Sequence, residues 1–208
     1  MTWFLRNWDQ VAIALGEHLV IAGSALAIAF VLSLAIGIAA ARNQRIFDAA
    51  MAVSGILYTI PTLAFLALLI PIVGLGKLNA IICMVAFSLM ILVRNIATGI
   101  REVPAEITDA ARGMGMSAPE ILRKIELPLA MPVIVAGLRI SAVTVISVTV
   151  VAAYVNAGGL GTIIFSGIAS DYPPKSVTGA LAACLLAVAV DVSLAALERR
   201  LKARRAMA

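Results

Sequence analysis

Charge is scarce in this chain: 13% of its 208 residues are Asp, Glu, Lys or Arg, about half the share usual in a soluble domain. Beside 62% hydrophobic residues, that scarcity excludes a soluble globular domain and a disordered tail. Two cysteines exclude a disulfide scaffold; Cys83 and Cys184 both fall in apolar stretches, where they read as filler. A single histidine cannot supply most metal clusters or a Ser/His/Asp set, and no metal site is expected. His18 itself is placed at a membrane interface, without a ligand role. No Gly-x-x-x-x-Gly-Lys-[Ser/Thr] phosphate loop occurs, because Gly74-Leu75-Gly76-Lys77 lacks the hydroxyl residue after its lysine. ATP hydrolysis is therefore not expected of this chain. No internal repeat is present either. What remains is an all-α integral membrane protein of one bundle, 1–208.

Apolar runs with at most one charge each mark five spans, about 19–41, 49–73, 78–100, 128–155 and 176–197. Each suffices to cross the hydrocarbon as a helix of about 20 residues. The first is too long for a signal-peptide core and is expected to remain as a span. The second is interrupted by Pro61, which deprives the Leu57 carbonyl of its helical donor and predicts a kink. Kinked backbone at membrane depth lines cavities, so Tyr58, Thr59 and Pro61 are candidates for a pathway, against the plainer reading of packing. Ahead of the first span, Phe4, Trp8, Val11 and Leu15 recur at helical spacing among polar residues. That pattern predicts an interfacial helix over 1–18. The segment 156–175 reads as a re-entrant or interfacial element.

Basic residues choose the orientation. One side receives Arg42, Arg45, Arg101, Arg112, Arg123 and Lys124, together with a tail over 198–208 carrying Arg199, Arg200, Lys202, Arg204 and Arg205. The other receives Arg6, Lys77 and Lys175. The N-terminus is thus expected outside and the C-terminus in the cytoplasm. The net charge of +5 then reports orientation; no nucleic-acid partner is implied.

Small residues recur every fourth position at Ala25, Ala29, Ser33, Gly37 and Ala41, and again at Gly179, Ala183, Ala187, Asp191 and Ala195. Such stripes let helices approach closely in lipid. Three charges are embedded: Arg94, Arg139 and Asp191. A charge in hydrocarbon needs a partner, so Asp191 is expected to pair with Arg139 or Arg94 and fix helix register. Contact with a zwitterionic substrate and snorkelling by Arg94 are the other readings.

The loop 101–127 holds nine of the chain's charged residues, four basic and five acidic. Pro104 suits the first turn of a helix that can run to Gly113 or Gly115. Ser117-Ala118-Pro119-Glu120 is a capping-box pattern that starts a second helix, and Pro128 opens the next span. A solvated connector would not need this much local specification. A DNA-binding helix pair would need a basic surface, and this loop is slightly acidic. The pattern instead describes a docking knob for a cytoplasmic partner.

Asp109-Ala110-Ala111, three residues, Gly115, nine residues, then Ile125-Glu126-Leu127-Pro128 resembles the EAA loop of ABC importer permeases: Glu-Ala-Ala, three residues, Gly, nine residues, Ile, any residue, Leu-Pro. Asp109 stands where the family has Glu. Across nearly the whole chain, Tyr58-Thr59-Ile60-Pro61-Thr62-Leu63-Ala64, Gly74-Leu75-Gly76-Lys77, Leu92-Val93-Arg94-Asn95, Ala110-Ala111-Arg112-Gly113-Met114-Gly115 and Ala157-Gly158-Gly159-Leu160-Gly161 resemble the glycine betaine/carnitine/choline branch. The resemblance implies the five-span core of a type I ABC importer permease, with no enzyme activity or cofactor of its own. ATP and Mg would be bound by two cytoplasmic ATPase subunits. It implies a second permease chain, identical or paralogous, an extracytoplasmic binding protein, and a bacterial inner-membrane location. Asp109, Ala110, Ala111, Gly115, Ile125, Leu127 and Pro128 would be the coupling residues. Methionine permeases share the core and offer an alternative substrate. A stand-alone secondary carrier or a non-transporting assembly subunit are rivals, although carriers usually show internal repeats.

Overall fold

The computed structural model describes residues 2–206, with side chains described over 3–203; Arg204 and Arg205 of the basic tail lie outside that side-chain set. The described residues contain helices joined by short turns. They are α1 (Thr2–Arg6), α2 (Trp8–Arg42), α3 (Gln44–Thr59), α4 (Thr62–Val73), α5 (Lys77–Arg101), α6 (Ala105–Gly113), α7 (Ala118–Ile121), α8 (Leu127–Val151), α9 (Leu160–Ala169) and α10 (Pro173–Ala206). Four stretches are long and apolar enough to cross a membrane, and a fifth arises if α3 and α4 count as one broken span.

α2, α5 and α8 form the centre. Ala25, Ala29 and Ser33 are fully buried on α2, and Gly37 faces Ile96 so closely that any side chain there would overlap it. Gly137 on α8 meets Asn95 of α5 in the same way, a Cβ there falling 2.5 Å from that of Asn95. Absent side chains thus set the helix separations, as the stripe on α2 leads one to expect. Ile21, Leu66, Met84 and Val145 fill one end of the core and Leu92, Ile96 and Ile134 the other. α10 is different. Only 6% of its most apolar window is buried, so most of its surface has no protein against it.

Three expectations need correction. The separate interfacial helix over 1–18 does not form: the chain breaks only at Asn7, whose backbone leaves helical geometry, and α2 then runs unbroken through residue 18 into the span. Nothing between Trp8 and His18 can stop a helix except Gly16, and one glycine is insufficient. At Pro61 the second span turns by 100° between α3 and α4, far beyond a kink. Ile60, placed before proline, takes an extended conformation (ψ 126°), which ends α3. The Leu57 carbonyl is recovered by the Ile60 N–H at 3.3 Å. Finally, Pro128 does not open a new helix. The chain from Ala118 to Val155 is one helical rod of 38 residues, widened into a π-turn over Leu122–Glu126. The Leu127 N–H reaches back to Leu122 O across that turn, making room for the proline ring that follows.

Candidate functional site

The loop at one end of the bundle is built from local rules. α6 begins after Pro104 and ends in a Schellman turn: Met116 N–H donates to Ala111 O (3.1 Å) and Gly115 N–H to Arg112 O (2.9 Å). Gly115 occupies the left-handed position with φ +84°, which is why the motif calls for glycine there. Glu120 then accepts the Ser117 N–H at 3.0 Å and Lys124 at 3.0 Å. The Ser117 hydrogen bonds first and Lys124 second hold its carboxyl down to about 2. Ala111 and Ile121 are buried between the two short helices, while Asp109, Ala110, Ile107 and Met114 face outward. Ile125 and Leu127 are half-buried and Pro128 is exposed. The knob has one face packed on itself and one apolar-edged face with nothing on it.

Of the embedded charges, Arg139 lies further along the same rod, Asp191 on α10 and Arg94 on α5. Arg139 donates to both carboxylate oxygens of Asp191, at 2.5 Å from Nε and 3.0 Å from Nη2. Glu198 stands 3.6 Å from the remaining Nη. This two-pronged geometry ties α8 to α10. Arg94 is not brought to either; it is exposed and makes no ion pair among the described residues. The pair borders an open hollow of about 490 Å³ that includes Thr144. Thr144 also borders a hollow of about 290 Å³ at the α3–α4 break, lined by Tyr58, Thr59, Pro61, Phe87 and Val148. The Tyr58 ring meets Phe87 edge-on at 5.8 Å between centroids.

With this geometry in view, the family described as binding-protein-dependent transport system inner membrane component matches residues 20–203. The chain belongs to that family. It is 35% identical over 97% of its length to the carnitine transport permease protein OpuCB of Listeria monocytogenes, covering 92% of that protein. It is 34% identical over 96% of its length to the glycine betaine/carnitine/choline permease protein OpuCB of Bacillus subtilis, again covering 92%. The choline permease protein OpuBB of the same organism is 35% identical over 89% of this chain and 85% of its own. An inward-facing structure of the MetNI methionine ABC transporter superimposes with a TM-score of 0.84 at 23% identity, covering 93% of this chain and 97% of that one. That likeness establishes the type I importer permease fold. This permease is accordingly a multi-pass inner-membrane protein.

The sequence reading missed how the permease secures its other end. Gly158 and Gly159 carry φ of +94° and +80°, and the turn they make is gripped by α2: Glu17 accepts the Gly159 N–H (3.0 Å) and His18 Nδ1 accepts the Leu160 N–H (3.3 Å). The opposite ring nitrogen, His18 Nε2, lies 3.1 Å from Ile146 O. Those two partners fix the tautomer, with the proton on Nε2. His18 is fully buried within the bundle, a contact the sequence did not suggest. Adjacent Glu17 and His18 inside a helix otherwise poor in polar residues were the available signal. Their partners, 142 residues away, were not.

Proposed function

We propose that this permease forms, with a second permease chain, the pathway of an ATP-driven importer for a quaternary-amine osmoprotectant: glycine betaine, choline or carnitine. The near full-length likeness to permeases named for those three compounds carries the substrate reading. The likeness to a methionine transporter is at 23% identity and speaks for fold alone. In this reading the 101–127 loop lies in the cytoplasm and docks on an ATPase subunit through Asp109, Ala110, Ala111, Gly115, Ile125, Leu127 and Pro128. The C-terminus shares that side and the N-terminus is outside. An extracytoplasmic binding protein delivers substrate. Two partner ATPases bind ATP and Mg.

Docking transmits work only if the ATPase holds the loop differently in its open and closed states. Support for this comes from the capped, short helices of the loop and the rod that continues from α7 into α8. A pull on the knob moves a stiff lever whose far half carries Arg139 and Thr144. The hollow at the α3–α4 break supports Tyr58, Thr59 and Pro61 as pathway lining, with Arg139 and Asp191 setting the register of α8 against α10. The hollow at the α3–α4 break is lined by two aromatic rings, Tyr58 and Phe87, which do not enclose a cation as an aromatic cage does, so in this reading selection among amines rests mainly with the binding protein.

Proteoliposomes containing permease, ATPase and binding protein test the reading. ATP-dependent uptake of labelled glycine betaine, choline or carnitine is expected, with none of methionine. Gly115→Asp is expected to release the ATPase on co-purification. Methionine uptake, or amine uptake that persists without ATP, would overturn it.

A further inference from the structure

Both flanks of the 101–127 loop are fastened to a single turn at the end of α2. On the way into the loop, Arg101 donates to Ala40 O at 2.5 Å and to Ala41 O at 3.2 Å, satisfying carbonyls that the end of α2 leaves without helical donors. Its guanidinium also lies 4.7 Å from the Phe47 ring centroid on α3. On the way out, Arg42 donates to Glu126. Glu126 occupies one of the positions its motif leaves unspecified, yet it is buried, with 4% of its side chain exposed against 48% for Arg42. A buried carboxylate needs a partner, and its partner sits one residue before the cap of α3. Asn43 forms that cap, accepting the Arg45 N–H at 2.9 Å.

We infer that Arg42 and Glu126, backed by Arg101, form a clamp that carries movement of the coupling loop into the α2–α3 hairpin as well as into α8. They are positioning residues, acting through the helices they join. Without the clamp, the loop acts on the helices it joins in sequence, α5 and the rod of α7 and α8. With it, the same displacement reaches α3 and, at its far end, the break at Pro61. Glu126 closes the π-turn, so a shift of the loop that rewinds this turn also moves the carboxylate that Arg42 holds. The arrangement thus gives one input two outputs. This inference rests on the importer reading above.

The test uses the complete transporter in proteoliposomes and reads the stimulation of ATP hydrolysis by the binding protein, beside ATPase co-purification. Glu126→Gln and Arg42→Gln are each expected to keep the ATPase bound and to lower that stimulation about tenfold, a coupling of ordinary allosteric size. The double variant is expected to be no worse than either single one. The exchange Arg42→Glu with Glu126→Arg is expected to recover part of the stimulation. Additive losses in the double variant, unchanged stimulation in the single ones, or release of the ATPase by Glu126→Gln would each overturn the clamp. Wild-type complex that is stimulated yet imports no quaternary amine would defeat the substrate reading and leave the clamp standing.

Discussion

Helix α2 is tied down at both ends by different chemistry. At the end with the glycine turn, two adjacent side chains, Glu17 and His18, hold backbone N–H groups of Gly159 and Leu160, and the histidine is fully enclosed. At the end with the loop, the ties are Arg42 to Glu126 and Arg101 to bare carbonyls, and Arg42 is half exposed to solvent. Hydrogen bonds made by an enclosed neutral ring have no alternative partner, so breaking them leaves an orphaned group. At the loop end the arginine side of each tie faces solvent and can turn to water, although the buried Glu126 would then be left without its counter-charge. The first end is therefore suited to stay fixed and the second to rearrange, which is what a lever anchored at one end and driven at the other requires.

The largest effect is expected from the glycines, where the two ends diverge most. A Cβ on Gly161 would run into the Val150 carbonyl and come within 2.8 Å of Ala153, both parts of the adjoining rod. Gly161→Val is expected to lower stability by about 3 kcal/mol or more, read as a fall in the thermal midpoint of detergent-purified protein. At Gly115 nothing lies within 4 Å of such a Cβ; only the left-handed backbone resists, so Gly115→Ala is expected to lower stability by about 1 kcal/mol. Equal losses would erase the distinction between a packed end and an open one.

A smaller effect is expected from His18→Leu, which leaves the Leu160 N–H without its acceptor in a dry setting. The expected loss is about 2 kcal/mol, with faster amide exchange at Leu160. His18→Gln, which retains an acceptor and a donor, is expected to recover part of it. Failure of Gln to outperform Leu would mean that ring volume, not hydrogen bonding, holds the turn.

The same contrast explains what could be read from the residues in advance. The apolar runs were legible because lipid imposes one rule on every residue of a span. The loop was legible because Schellman and capping-box geometry are local: Gly115 and Ser117 act on neighbours within five positions. Pro61 was visible as a defect, but the size of its bend depends on Ile60 adopting extended backbone and on α4 finding α5. Asn79 of α5 secures that packing by donating to Leu66 O (3.2 Å) and Gly74 O (2.8 Å). Likewise, Pro128 marked a helix start by every local criterion, and only the π-turn at Leu122–Glu126 lets the rod continue through it. Arg42, Glu126 and His18 stayed hidden because their partners lie 84 to 142 residues away. Among the embedded charges, Asp191 had two basic candidates at similar depth, and only the packing of α8 on α10 separates Arg139 from Arg94.

The smallest expected effect concerns acid. Glu120 closes the capping box of α7, and its carboxyl is held at about 2 rather than the usual 4.5, chiefly by the Ser117 hydrogen bonds. A carboxyl depressed in the folded state adds stability that is fully present above the ordinary value and fades as pH falls through the depressed one. The cap should therefore keep its full strength from neutral pH to near 4.5, weaken progressively below that, and lose the contribution of the charge towards 2. Amide exchange at Ser117 and Glu120, corrected for its intrinsic pH dependence, is expected to stay flat from pH 7 to about pH 5 and to quicken steadily below that. Glu120→Gln removes the charge-assisted part of the cap and the Lys124 contact at every pH, so its protection should be lower and flat throughout. A wild-type cap that opened fully near pH 4.5 would show that the loop end is looser than its hydrogen bonds imply, and that the drive from loop to rod begins at the π-turn instead of at Ser117.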